Sequence, residues 1–298
     1  MLLDLKQNIM TNNKMIVAEK TRNIGNFLVG RLLPFKEKRA VGPFVFIDHM
    51  GPTIMEKGQA FDVDQHPHIG LSTLTYLFEG EIHHKDSTGA DMIITPGSVN
   101  FMTAGRGVTH TERTPKHLRN AAPYMIHGYQ VWIALPKEKE NIAPNFVHLE
   151  HSLLPKWKED HLEFTLIAGE GYGKVSPLPV YSPLFMLDIK ADADSKLEIN
   201  GQLQGEIAIV IVHGSITVEN EILEDGQMMI SQTENECFIS LDKGTRIMIF
   251  GGKPFPEQRY LYWNFVSSDK EVLEKAKNDW KNKLFDTVPE DHTYIEMP

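Results

Sequence analysis

Short apolar runs broken by Gly, Pro and Asp dominate this chain: GPFVFID, LSTLTYLFEG, DMIITPGSV, YQVWIALP, FTLIAG, IAIVIVHGSITV and RIMIFGG. They are too short for buried helices and rich in β-branched and aromatic residues, so the pattern predicts strands. Turn signals recur between them at roughly the 8–12-residue spacing of an all-β sandwich or barrel. One segment departs from the pattern. In SSDKEVLEKAKNDWKNKLF, Val272, Leu273, Ala276, Trp280 and Leu284 fall on one helical face. Ser268 followed by Glu271 reads as a capping box, so a helix is expected here, packed across the outside of a β-fold.

The polar punctuation also repeats. TYLFEGEIHHKD followed by ITPGSVNFM parallels VIVHGSITVEN followed by LEDGQMMIS, which pairs Gly80 with Gly214 and Gly97 with Gly226. Two tandem β-domains of similar plan produce such a pattern. The join is expected around residues 144–160, where Pro and charge accumulate in PNFVHLEHSLLPKWKED. That divides the chain into an N-terminal domain, 1–150, and a C-terminal domain, 151–298, ending in the helix.

The halves differ in histidine. Eleven of the 13 histidines lie at or before residue 161, leaving His213 and His292 beyond it. His66 and His68 flank Pro67 in DQHPHIG, and His110 and Glu112 repeat the two-residue spacing in GRGVTHTE. On a strand, residues i and i+2 share a face about 6–7 Å apart, and neighbouring strands lie about 4.8 Å apart. Two such pairs side by side bring four side chains within reach of one ion. Three imidazoles and a carboxylate suit iron, manganese, nickel, copper or zinc and do not suit calcium or magnesium. Pro67 cannot donate to a ladder, which predicts an edge strand or the start of one. Adjacent His83 and His84 must face opposite ways, so at most one of them reaches the same site.

Composition narrows the function classes. At 298 residues with 41% hydrophobic and 23% charged content, the chain reads as an ordinary globular protein. A net charge of −10 argues against direct nucleic-acid binding, which depends on neutralising phosphates. No apolar run reaches the ~18 residues of a membrane span, and the first residues do not read as a signal peptide. The one cysteine, Cys237, expected in a buried strand, excludes an internal disulfide. Together these lead to the expectation of a cytoplasmic protein.

HPHIGLSTLTYLFEGEIHHKDSTG, TPGSVNFMTAGRGVTHTE and HGYQVWIALP together resemble the pirin family of the cupin superfamily. RLLPF and GPFVFIDHMGP extend the likeness over most of the first half, and it continues more weakly through the second. The resemblance implies two cupin-type β-sandwich domains, only the first carrying a metal. Position by position it implies His66, His68, His110 and Glu112 as ligands, with iron(II) the expected ion and Mn, Ni, Co, Cu or Zn alternatives. Other cupins place a glutamate a few residues after the HxH pair. Here that place is Ser72, and the acidic ligand comes from Glu112, as in pirins. Asp48, His49, His84 and Gln130 fall where the family has polar residues near its cavity, to orient imidazoles or to contact substrate.

The implied activity is a quercetin 2,3-dioxygenase that opens a flavonol ring with O2, with Glu112 as a base for the flavonol proton. The alternative is a metal-dependent regulator that binds a transcription factor or metabolic enzyme as a protein partner, without turnover of its own.

Overall fold

The computed structural model of this protein describes residues 9–11, 14–24, 27–121, 123–231 and 238–298. Cys237 lies outside them. The described chain is antiparallel β-structure with one α-helix near its C-terminus, the all-β architecture expected from the alternating runs. Among the described residues no helix is long and apolar enough to cross a membrane.

Two compact units divide the chain. One comprises Thr21–Arg31, Val45–Ser152 and Phe255–Pro298, and the other Met1–Lys20, Leu32–Phe44 and Leu153–Pro254. The expected division into 1–150 and 151–298 is therefore redrawn at both ends. The N-terminal strand Lys14–Ala18 pairs with Gln227–Ser231 and closes the edge of a sheet in the later half. The C-terminal helix packs in the earlier half, where Leu273, Ala276 and Trp280 meet Ile69 and Phe265.

The histidine-bearing unit contains a seven-stranded and a four-stranded sheet. The larger runs Asn145–Leu149, Val99–Thr103, Leu71–Glu79, Tyr124–Ala134, Phe44–Met55, Leu28–Leu33 and Lys20–Asn23 in spatial order. The smaller runs Asp62–His68, Val108–Arg113, Ile82–Asp86 and Asp91–Ile94. Leu77, Met50 and Ile126 of the larger sheet bury against Ile82 and Ile94 of the smaller. The second unit repeats the plan. Ile207, Ile209, Ile211, Ile247 and Ile249 of its larger sheet pack on Ile216, Val218, Leu223, Ile239 and Leu241 of its four-stranded sheet.

The internal repeat is visible in backbone conformation. Gly80 and Gly214 each turn the chain at positive φ, 83° and 90°, between a long strand and an inner strand of a small sheet. Counting from these glycines, His84 in the first unit corresponds to Val218 in the second, and Thr75 to Ile209. Val218 and Ile209 are core residues. These two interior positions are thus apolar in one unit and polar in the other, whose sandwich keeps an apolar core beside them.

The helix spans Lys270–Lys281, and its cap differs from the expected one. Asp269 is the N-cap, its carboxylate accepting from the Glu271 N–H at 2.8 Å. Ser268 is committed elsewhere: its N–H and hydroxyl donate to Glu140 at 2.8 and 3.2 Å. Leu284 does not share the buried face. The helix ends before it, Lys283 takes positive φ, and the Leu284 side chain is exposed.

Candidate functional site

Three neighbouring strands of the four-stranded sheet build the site. The Asp62–His68 strand forms its edge and pairs with Val108–Arg113, which pairs in turn with Ile82–Asp86. Each carries a polar pair at two-residue spacing: His66 and His68, His110 and Glu112, His84 and Asp86. His66 stands opposite His110, His110 opposite Asp86, and Glu112 opposite His84. The register with the edge strand shifts between His110 and Glu112, so Glu112 faces Val63 there. Strand alternation turns all six side chains to one face, and all six are buried.

Pro67 fits its edge position. Gln65 directs its N–H and C=O outward, to the Thr293 hydroxyl at 3.1 Å and the Ile295 N–H at 3.0 Å. Pro67, two residues on, has the same orientation, so its missing N–H costs the sheet no ladder bond. Two residues past the strand's end, Gly70 has φ 67° and lies so close to the Phe265–Ser267 strand that a Cβ would meet the Val266 carbonyl oxygen at 1.9 Å.

The imidazoles form a tight cluster. Ring centroids are 5.2 Å apart for His66 and His68, 4.3 Å for His66 and His110, and 5.0 Å for His68 and His110. Two overlapping groups have their ligand atoms within 4.8 Å of one another: His66, His68 and His110, and His84, His110 and Glu112. His110 is common to both. Glu112 therefore joins through the second group rather than the first.

Hydrogen bonds decide which nitrogen each ring offers. His66 Nδ1–H donates to the Asp64 carbonyl at 2.8 Å, and His68 Nδ1–H to the Asn264 carbonyl at 3.2 Å. A carbonyl only accepts, so both rings carry their proton on Nδ1 and bare Nε2. The Nε2 atoms of His68 and His110 are buried without a hydrogen-bond partner. Such an atom is expensive to bury unless something else fills its lone pair.

Burial holds the His66 pKa down to about 4. Burial first, and neighbouring imidazoles second, place His68 and His110 well below the ordinary value. All three rings are therefore neutral, the form that binds a metal. A group of buried neutral imidazoles with unpartnered nitrogens fits a divalent transition ion.

Glu112 is held differently. Gln130 Nε2 donates to its Oε1 at 3.1 Å, and the Thr75 hydroxyl, 3.5 Å from that oxygen, donates to Gln130 Oε1 at 2.6 Å. Burial raises the Glu112 pKa, opposed by His84 and by these two hydrogen bonds. Gln130 thus positions the carboxylate and not an imidazole.

Among the described residues, Asp48 pairs with Arg31 and not with an imidazole. Both its oxygens accept from Arg31, each at 2.7 Å, although burial still lifts its pKa. Arg31 lies over Phe46 at 4.3 Å, Phe46 stacks on Trp132 at 3.8 Å, and Trp132 meets His68 edge-on at 4.9 Å. His49, adjacent to Asp48, faces the opposite side of its strand and pairs with His127 at 3.0 Å. His83, opposite in sense to His84, bonds Asp91 at the surface.

The residues that sequence reasoning passed over are Asp86, Thr75 and Trp132. Asp86 is fully buried. Its Oδ1 accepts from the Thr88 N–H at 2.8 Å, the Thr88 hydroxyl at 2.6 Å and the Ala90 N–H at 3.2 Å. Its Oδ2 faces His84 Nε2 at 3.1 Å. Burial acts to raise its pKa, but the bonds from His84 and Thr88 hold it below the ordinary value. The signal was present as a third i, i+2 pair, His84-Lys85-Asp86. Thr75 and Trp132 lie in apolar runs and carry no such mark.

Two sandwiches of one plan, one of them lined with buried histidines, define a two-domain cupin protein. Comparison with known proteins agrees. The family model described as Pirin matches residues 26–133, and that of the pirin C-terminal cupin domain matches 186–286. A pirin-like protein of Caulobacter vibrioides is 43% identical over 289 residues, spanning 95% of this chain and 99% of that one. The chain belongs to the pirin family. It is also 37% identical over 258 residues to a Pseudomonas aeruginosa protein named provisionally as a quercetin 2,3-dioxygenase, spanning 86% of this chain and 80% of that one. A crystal structure of quercetin 2,3-dioxygenase from Acinetobacter baumannii superposes with a TM-score of 0.88 at 35% identity, covering 96% of this chain and 95% of that one.

Proposed function

We propose that the protein is a metal-dependent dioxygenase acting on a flavonol-like substrate, with quercetin as the test compound. One observation carries the reading: buried neutral imidazoles, two with unpartnered Nε2 atoms, beside a carboxylate held on one oxygen. The names of the Pseudomonas and Acinetobacter relatives supply the substrate class. His66, His68, His110 and Glu112 would hold the ion, iron(II) being the expected one. When bound, it supplies a Lewis acid able to acidify a hydroxyl on an adjacent substrate.

The chain's own residues do the rest. Glu112, its basicity raised by burial, takes the proton of the flavonol 3-hydroxyl, while Gln130 and Thr75 keep the carboxylate in place. Trp132 and Phe46 provide an apolar wall against His68, which excludes water from the reacting ring. O2 is the oxidant, and both its atoms remain in the products.

The test follows quercetin's visible absorbance together with O2 uptake, on protein whose metal content has been measured. Loss of the absorbance with matching O2 uptake is expected, and Glu112→Gln should slow turnover by about 10²–10⁴-fold with the metal retained. No reaction from protein verified as loaded with iron, manganese, nickel, cobalt or copper would falsify the dioxygenase reading.

A further inference from the structure

We infer that Asp86, acting through His84, sets the tautomer of His110 and so turns its Nε2 lone pair toward the ion. Asp86 and His84 are then positioning residues of the metal centre and not ligands. The inference rests on the metal centre proposed above.

The chain of hydrogen bonds runs in one direction. Asp86 Oδ1 is occupied by three donors from Thr88 and Ala90, which pin the carboxylate in its turn. Its other oxygen faces His84 Nε2 at 3.1 Å. An ionised carboxylate only accepts, so Nε2 of His84 carries a proton, and in the neutral ring its Nδ1 is then a bare acceptor. That Nδ1 lies 3.4 Å from Nδ1 of His110. His110 must therefore donate from Nδ1, which leaves its Nε2 bare. This is the buried nitrogen without a hydrogen-bond partner.

The neighbouring ligands reach the same state by a simpler route. His66 and His68 fix their tautomers on the Asp64 and Asn264 carbonyls. His110 lies on the central strand of the three, between the edge strand and Ile82–Asp86. There the backbone carbonyls are engaged in the ladders, so a side chain from the next strand takes the carbonyl's place. Phe146 stacks on the His84 ring at 4.6 Å and fixes its plane. A carboxylate bonded to the far nitrogen of an imidazole chain also raises the electron density of the ligating ring.

The competing arrangement makes His84 a ligand, since His84, His110 and Glu112 also form a compact group. His84 could offer only Nδ1, since its Nε2 faces Asp86, and that Nδ1 is already within hydrogen-bonding distance of His110 Nδ1, while the Nε2 atoms of His68 and His110 have no hydrogen-bond partner. The orphaned atoms favour the positioning role.

The test combines two measurements. Histidine ¹⁵N–¹H correlation spectra of the metal-free protein should show His84 protonated on Nε2 and His110 on Nδ1. Cobalt(II) titration, followed by its visible d–d absorption, should give about 10–100-fold weaker binding in Asp86→Asn and in His84→Phe. At saturation the spectra should match wild type, because the ligand set is unchanged. Asn at 86 has one acceptor oxygen and cannot serve both Thr88 and His84.

Proton on His110 Nε2 in the wild type overturns the inference without any variant having to fold. Unchanged cobalt affinity in folded variants overturns it too. An altered saturated spectrum in His84→Phe overturns it by making His84 a ligand. Wild-type protein that binds no cobalt removes the metal centre itself. Wild-type binding with unaffected variants removes only the positioning role.

Discussion

His68 and His110 are each buried to about 1% or less exposure with an Nε2 that no group in the described chain satisfies. In the metal-free protein these atoms oppose folding. His68→Leu should therefore leave the metal-free protein as stable as wild type, or more stable by about 1–2 kcal/mol, while abolishing cobalt binding. Urea unfolding of both proteins in chelator checks it, and a loss above that range in His68→Leu would mean the imidazole is structural. Asp48 is the contrasting case. Its buried carboxylate depends on two short bonds from Arg31, a side chain itself about one quarter exposed. Arg31→Met should cost about 2–3 kcal/mol by leaving that charge unpaired. Arg31→Met combined with Asp48→Leu should recover most of the loss. His66, His68, His110 and Glu112 were legible as candidates because i, i+2 spacing survives in sequence. The roles of Asp48 and Gln130 were not, since a polar residue's partner is set by strands distant along the chain.

At the scale of elements, the edge strand that carries His66 and His68 depends on the chain's last segment. Trp280 is buried, stacks on Tyr294 at 4.4 Å and donates from Nε1 to the Ile295 carbonyl at 3.0 Å. Ile295 in turn donates to Gln65, between Asp64 and His66. Trp280→Ala should cost about 3–5 kcal/mol through the lost packing. It should also speed amide exchange in residues 62–68 more than in the Val108–Arg113 strand, as read by hydrogen-exchange mass spectrometry. Equal protection in both strands would show that the tail does not hold the edge. The helix itself was legible from its apolar spacing. Its cap was not, because Ser268 and Asp269 are both good capping residues and Glu140, far off in sequence, claims the serine.

Across the whole molecule, the two units share a plan but not an interior. Removing the metal should therefore act on one of them. Zinc or cobalt at about 100 times its dissociation constant should stabilise the histidine-bearing unit by about 2.7 kcal/mol. Protection should rise in Asp62–His68, Ile82–Asp86 and Val108–Arg113, while the isoleucine-rich core of the second unit stays unchanged. A uniform rise in both would show instead that the units unfold as one. The sequence by itself determined the all-β class, the duplication about Gly80 and Gly214, and the concentration of the histidines toward the first half, because strand alternation and turn glycines are local properties of the chain. Only the tertiary structure decided that the chain's ends pack in the opposite halves, since a sheet edge and an apolar helix face take whichever partner completes them. It also decided that His110 belongs to two groups at once, because its strand lies between the other two and pairs with both.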